Sequence, residues 1–165
     1  MSKFALHKIE LLAPLSECER RSLQEALSRH AVFAARDDMI RENDEPDHST
    51  VVLEGMTCRY KTLRTGERQI VNFGIAGDWV DLHSYFLGPM DHSIGAMSDC
   101  RVAHVPHATV RRLIEDHPRL GQFLWRETMS ESAIFREWVV NLGARDAHAR
   151  LAHLLCELHA RMVSV

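Results

Sequence analysis

Histidine is unusually frequent in this chain, with eleven histidines among 165 residues. Four of them, His83, His92, His104 and His107, lie close together along the sequence. Imidazole is a common ligand for zinc, copper and iron, so these residues could form a metal or haem sensor. None of them has the close helical spacing beside a carboxylate, as in HxxxH, that is typical of a metal site. We therefore expect surface or hydrogen-bonded histidines, and we predict no metal and no cofactor.

The four cysteines are Cys18, Cys58, Cys100 and Cys156, and they are too far apart to indicate a disulfide framework or a CxxC metal motif. Only Cys18 falls among the first twenty residues, so a cluster held by closely spaced N-terminal cysteines is not expected. Cys58 and Cys100 fall in predicted strands, where we expect buried, small apolar side chains. The chain also lacks a nucleophile–base pairing, a metal motif and a glycine-rich phosphate loop, so we predict that it is not an enzyme.

The composition is that of a soluble globular protein, with 45% hydrophobic and 26% charged residues. The net charge of −3 provides no general attraction to nucleic acid. No apolar run approaches the roughly 20 residues that a membrane span needs, and the N-terminal residues do not resemble a signal peptide. These observations predict a cytoplasmic protein with no membrane partner.

A long helix from Pro118 to Leu142, with Gly143 just past its end, is predicted to organise the chain. At helical spacing, one apolar stripe forms along it, and a second forms on roughly the opposite side. One stripe would pack on the helix's own domain and the other on a second copy, which predicts a homodimer, although a central helix in a single core is the alternative. The first stripe contains Leu120, Leu124, Ile134, Trp138 and Leu142, and the second contains Trp125, Met129, Ala133 and Val140.

Glu127 and Glu131 interrupt the first stripe. They would either face a ligand or pair across the dimer with Arg126 or Arg136, and the sequence leaves both alternatives open. The residues predicted to form the dimer interface are Leu120, Leu124, Glu127, Glu131, Ile134 and Trp138.

The region before Pro118 contains short β-like segments separated by turn-forming residues, which is typical of a small antiparallel barrel. A capping box formed by Ser16 and Glu19 predicts a helix over 16–28. Other helical patterns cover 82–87, 108–117 and the amphipathic stretch after Gly143. The predicted strands are 31–35, 49–55, 56–63, 68–74, 93–98 and 100–106.

This order of elements resembles the Crp/Fnr family of bacterial transcription regulators. The resemblance is carried by EGMTCRYKTLRTGERQIVNFGIAGDWV, with the family's F-x-x-x-G-D turn at 73–78, by PHATVRRLIEDHPRL, and by NLGARDAHARLAHLLCEL. It implies an α+β fold: an antiparallel β-roll of the jelly-roll, cyclic-nucleotide-binding type, with an N-terminal helix, a long dimerisation helix and one trailing helix. The implied domains are a β-roll effector domain (1–117), a dimerisation helix (118–142), and a hinge with the first helix of a truncated winged helix-turn-helix domain (143–165).

The resemblance also implies partners. The family's recognition helix should follow residue 165, so we expect a truncated or degenerate chain that would meet DNA only through a domain it lacks. RNA polymerase and an unknown small-molecule effector are further implied partners. The alternative is a stand-alone cyclic-nucleotide-binding regulatory domain of a kinase or channel, against which the helix after Gly143 argues.

Family members that bind cyclic AMP resemble one another in a phosphate cassette, G-E-L followed by R-S or R-T. Asp81, Leu82 and His83 fall over G-E-L, and His92 and Ser93 fall over R-S. Leucine cannot accept a ribose hydrogen bond, and histidine lacks the bidentate fork of arginine, so we predict that this cassette does not bind cyclic AMP. If it does bind, Asp81 would be the acceptor, with Ser84 and Ser93 on the phosphate. The pocket candidates are Asp81, Leu82, His83, Ser84, His92 and Ser93.

Overall fold

A computed structural model describes residues 8, 10 and 14–163 of the chain. From residue 14 onward one helix precedes five consecutive strands, a short helix and two further strands follow, and three helices come last. In chain order they are α1 (Glu17–Ala26), β1 (His30–Phe33), β2 (Asp38–Ile40), β3 (His48–Glu54), β4 (Thr57–Thr62), β5 (Arg68–Gly74), α2 (Ser84–Leu87), β6 (Ser93–Ala96), β7 (Cys100–Pro106), α3 (His107–Asp116), α4 (Pro118–Ala144) and α5 (Ala147–Val163).

The strands form two antiparallel sheets, with orders β1-β7-β3 and β2-β6-β4-β5. Strands β3 and β7 are long neighbours in the first sheet, with Ser49 opposite Val105. An isolated bridge between Val51 and Trp79 ties the segment after β5 to β3. The predicted α+β fold with an antiparallel β-roll is therefore confirmed.

Strand alternation divides the core into two parts, because successive side chains of a strand point to opposite faces. On β3, Val51 and Leu53 pack in a cluster with residues of α1, α3 and α4, including Leu120 and Leu124. Val52, between them, packs in a second cluster inside the roll. The helices thus cover one face of a sheet, while the roll keeps its own interior.

Local signals in the sequence located most elements correctly. Strands 68–74 and 100–106 match the predicted bounds, and Cys58 and Cys100 are buried. The capping box is confirmed: the Ser16 backbone N–H donates to Glu19 Oε2 at 2.8 Å, and the Glu19 N–H donates to Ser16 Oγ at 3.3 Å. Strand β2 was missed because its three residues are too few to show alternation.

The predicted end of the long helix was wrong. Gly143 lies inside α4, which continues to Ala144 and ends where Arg145 becomes extended, with ψ at 144°. The next helix begins at once, because Asp146 Oδ1 accepts the Ala149 N–H at 2.9 Å and so caps α5. The helix boundary therefore depends on this cap rather than on the glycine.

Helix α5 turns back toward the roll. None of its described residues is buried, and Leu151, Leu155 and Met162 are more than half exposed. Among the helices in the described part of the chain, none combines the length and apolar character that a membrane span requires.

Candidate functional site

The candidate site is a small cavity between the roll and the inner side of α4. The turn after β5 forms one wall, and Arg161 near the end of α5 closes another side. Its volume of about 180 Å³ is below the 300 Å³ or so of typical ligand pockets. The residues around it include Asn72, Trp79, Leu82, His83, Glu131 and Ile134.

One end of the cavity is filled by paired charges centred on Asp78. Lys8 Nζ lies 2.7 Å from Asp78 Oδ1 and 2.5 Å from Glu127 Oε2, and Arg161 Nη2 lies 2.5 Å from Asp78 Oδ2. Burial opposes ionisation of Asp78, but Lys8 and Arg161 hold its pKa below the ordinary value. Asp78 Oδ2 also accepts the Ile75 N–H at 2.9 Å, so the same carboxylate shapes the turn after β5.

Arg59 joins the roll to α4 through Glu131, which lines the cavity. It projects from β4 and is only 4% exposed. Its Nε donates to the Val80 carbonyl at 2.7 Å, and Nη1 forms an ion pair with Glu131 of α4. Burial raises the pKa of Glu131, and Arg59 opposes that rise. Glu127 and Glu131 therefore line the cavity, and their partners are Lys8 and Arg59 rather than Arg126 or Arg136.

Asp81 is buried behind the cavity and serves the fold. Its Oδ1 accepts the Thr50 N–H at 2.5 Å, while Oδ2 has no hydrogen-bond partner among the described residues. Burial raises the pKa of Asp81 to about 6, although the bonds from Thr50 oppose the rise. Asp81 does not line the cavity, so this geometry does not present it to a ribose.

The two serines of the predicted pocket are engaged elsewhere. Ser84 Oγ lies 3.3 Å from Nε2 of His107, and Ser93 Oγ accepts the Glu42 N–H at 2.9 Å. Both serines are buried, so neither is free to bind a phosphate at the cavity.

His83, which lines the cavity, lies beside His92 and Asp91, which do not line it. The ring centroids of the two histidines are 5.0 Å apart. His92 Nδ1 lies 2.7 Å from Asp91 Oδ1, and His83 Nε2 lies 3.5 Å from the same oxygen. Burial, His92 and Arg59 lower the pKa of His83 to about 4, and burial also lowers the pKa of His92. Both rings are therefore neutral near pH 7, and the contact between His83 and Asp91 is not an ion pair there.

The four grouped histidines do not form one site. His104 stacks on His48, with ring centroids 4.1 Å apart, and His107 lies edge-on to Tyr85. In the described part of the chain, His83 and His92 are the two of these four that come together with a carboxylate, Asp91, as a group of possible metal ligands. Asp91 is not among the residues predicted from the sequence, although it directly precedes His92.

The residues predicted to form the dimer interface contact their own chain. Leu120 and Leu124 are 2% and 5% exposed in the core, so their side chains cannot reach a second copy. Ile134 lines the cavity, and Trp138 lies 6.3 Å from Phe73 between ring centroids. Periodicity showed two stripes but could not show which one the domain covers. The exposed stripe is the second, with Trp125, Met129 and Val140 at 65%, 44% and 46% exposure.

Comparison with known proteins agrees with this architecture. The cyclic nucleotide-binding domain family matches residues 31–117. The nitrogen fixation regulation protein FixK of Bradyrhizobium diazoefficiens is 29% identical over 167 residues, which cover 99% of this chain and 68% of FixK. A probable transcriptional activator of Rhizobium leguminosarum bv. viciae is 27% identical, over 78% of this chain and 54% of that protein.

Among solved structures, FixK2 from Bradyrhizobium japonicum is similar with a TM-score of 0.71 at 23% identity, covering 80% of this chain and 66% of that one. The chain thus spans between about half and two thirds of the length of these relatives. They are regulatory proteins by name, in agreement with the prediction that the chain is not an enzyme. The sequence match and the shared β-roll lead to one conclusion: the chain belongs to the Crp/Fnr family of bacterial transcription regulators and contains their cyclic nucleotide-binding domain.

Proposed function

We propose that this chain is the effector-sensing and dimerisation part of a Crp/Fnr-type regulator, and that it does not bind cyclic AMP through the usual cassette. The observation that supports this most directly is that charged groups around the cavity already have partners. Charged groups that line it are already paired, as Glu131 is with Arg59, and Asp81 bonds to Thr50 outside the cavity lining. A cyclic phosphate entering here would have to break existing pairs in order to gain new ones.

The proposed dimer forms through the exposed stripe of α4. Trp125 and Met129 are large apolar side chains exposed one helical turn apart, and aromatic residues and methionine are enriched at protein interfaces. Arg59 and Arg161 connect the cavity to α4 and α5 respectively, which suggests a route for signalling. An effector that rearranged these pairs would shift the population of crossing angles between the two copies of α4.

DNA binding is proposed for the part of the longer relatives that this chain does not match. Helix α5 supports this, because its exposed leucines would complete a core with further helices. RNA polymerase is a second proposed partner at the promoter, and the proposed location is the cytoplasm. The rival function is that of a stand-alone cyclic-nucleotide-binding module of a kinase or channel. Such a module does not require a helix that, like α5, buries so little of its surface.

Calorimetric titration with cyclic AMP tests the proposal. We expect no saturable heat at millimolar nucleotide, because the cassette positions lack the carboxylate and the arginine that such a ligand needs. As a matched test, Leu82→Glu with His92→Arg restores the cassette residue types and should increase the affinity if the positions correspond. Saturable micromolar binding to the unmodified chain would contradict the proposal.

A further inference from the structure

Beside the cavity, the side chains of His83, Asp91 and His92 bring possible metal-ligand atoms close together. His83 directly precedes α2, while Asp91 and His92 precede β6. One ligand atom from each of the three side chains lies within 4.8 Å of the other two. In a tetrahedral zinc site, bonds of about 2.0–2.1 Å place neighbouring ligand atoms about 3.3 Å apart. The distance of 3.5 Å from His83 Nε2 to Asp91 Oδ1 is already close to that spacing.

The backbone around these residues is held in place. The His83 carbonyl accepts the N–H groups of Phe86 and Leu87 at 3.0 and 2.9 Å. Across the loop, Met90 exchanges backbone bonds with Asn43 and Asp44 at 2.8 and 2.9 Å. Because these bonds hold the backbone, any adjustment to a bound cation would have to come from the side chains.

Two polar atoms at this site lack a partner in the described part of the chain. Nε2 of His83 and Nε2 of His92 are both buried without a hydrogen bond, and His92 as a whole is only 8% exposed. A buried, unsatisfied polar atom costs about 1–3 kcal/mol, so such atoms need an explanation. A cation bound by the ring nitrogens would provide one.

Neighbouring charges do not exclude a cation. Arg59 and Lys61 are the positive groups that act on His92, and each is paired, Arg59 with Glu131 and Lys61 with Glu42. Asp91 supplies a negative charge, and its side chain is 79% exposed, so water can reach the site from that side.

We propose that His83, Asp91 and His92 bind a borderline divalent transition-metal cation of the zinc class, with water completing the coordination. Two imidazoles and one carboxylate suit zinc, cobalt and iron(II), whereas magnesium and calcium prefer oxygen ligands alone. Because His83 also lines the cavity, a bound cation would alter the wall opposite α4. The proposal builds on the proposed function by naming a ligand for the sensing domain, but its test requires neither cyclic AMP nor a dimer.

The test uses the whole chain without a polyhistidine tag, stripped of metal with a chelator. Titration with Zn²⁺ by calorimetry should give one site per chain with micromolar or tighter affinity. Co²⁺ should give the intense visible absorption of a low-coordinate cobalt site, and excess Zn²⁺ should abolish it. If neither metal gives a saturable signal on the folded protein, the proposal is overturned, whatever the oligomeric state and the nucleotide titration show.

Variants locate the site. His83→Gln and His92→Gln should each weaken Zn²⁺ binding at least about 100-fold, and Asp91→Asn at least about 10-fold. The control is His48→Gln with His104→Gln, because this stacked pair is the other close pair of imidazoles near the roll. The control should retain both the zinc affinity and the cobalt spectrum. If the control loses binding while His92→Gln retains it, the proposed site is wrong; circular dichroism verifies that each variant is folded.

Discussion

Buried polar groups are paired around Asp78 but partly unpaired in the cluster of His83, Asp91 and His92. Around Asp78, Lys8 and Arg161 compensate the carboxylate, and Glu131 of the cavity lining pairs with Arg59. In the cluster of His83, Asp91 and His92, the Nε2 atoms of both histidines lack a hydrogen bond within the described part of the chain. The paired charges hold α4 and α5 against the roll, so they serve the structure. An effector could bond to the two free Nε2 atoms without breaking an existing hydrogen bond or ion pair, so binding would be most favourable there.

The largest expected effect comes from breaking the Arg59–Glu131 pair. Arg59→Met leaves Glu131 without its cation in a mostly buried position, and it should lower the free energy of unfolding by about 3 kcal/mol. Urea denaturation measures the loss. The double variant Arg59→Met with Glu131→Leu should recover most of it, because no uncompensated charge then remains. The surface pair of Arg101 and Glu54 is the control, and Arg101→Met should cost far less. Equal losses of unfolding free energy at the two pairs would mean that burial does not strengthen the dependence of Glu131 on Arg59.

The next effect concerns the pH dependence of Asp81. Its pKa of about 6 in the folded chain lies above the ordinary 3.8, so its contribution to stability is complete below about pH 4 and is lost as the pH rises through 6. The difference corresponds to at most about 3 kcal/mol. Asp81→Asn should remove this loss, and the variant should therefore gain stability relative to the parent as the pH rises from about 4 to about 7.

The measurement for Asp81 is the difference in free energy of unfolding between variant and parent at each pH. A difference is needed because His83 and His104, whose pKa values are lowered to about 4, act in the opposite direction: their contribution is lost as the pH falls. Asp44→Asn is the matched control, since this exposed carboxylate also accepts a backbone N–H, from Arg41 at 2.8 Å. A flat difference for Asp81→Asn would show that the carboxylate is not strained by burial.

The smallest effect on stability is expected on the outer side of α4. Trp125→Glu with Met129→Glu should change the free energy of unfolding by no more than about 0.5 kcal/mol per site, because both side chains are exposed in the single chain. The same variant should be monomeric in light scattering. Arg126→Glu, which changes the net charge by the same amount, should remain dimeric. If the variant with both glutamates remained dimeric, the exposed stripe would not be the dimer interface.

Much of the fold could be predicted from the sequence because it depends on local rules. The capping box at Ser16, the alternation in 68–74 and the apolar pattern of α4 are each visible within a few residues. The rotation of α4 was not predictable in this way, because Leu120 and Trp125 belong to equally regular stripes and only packing against α1 and α3 selects between them.

The site was less predictable because tertiary structure assembles it. His83 and Asp91 are brought together by α2 and the loop after it, not by a helical spacing. Arg59 occupies a strand position where an arginine ordinarily faces water, and nothing nearby in the sequence indicates that Glu131 meets it. The pocket candidates Leu82, His83 and His92 came from resemblance to a cassette. Of these three, Leu82 and His83 line the cavity and His92 does not.

We propose that this chain pairs with a copy of itself through α4 while paired charges line its cavity. Size-exclusion chromatography with light scattering on the untagged chain tests it most directly. We expect a dimer with a mass of twice 18.9 kDa. A monomer of 18.9 kDa across the accessible concentration range would contradict the dimer and favour the stand-alone binding domain.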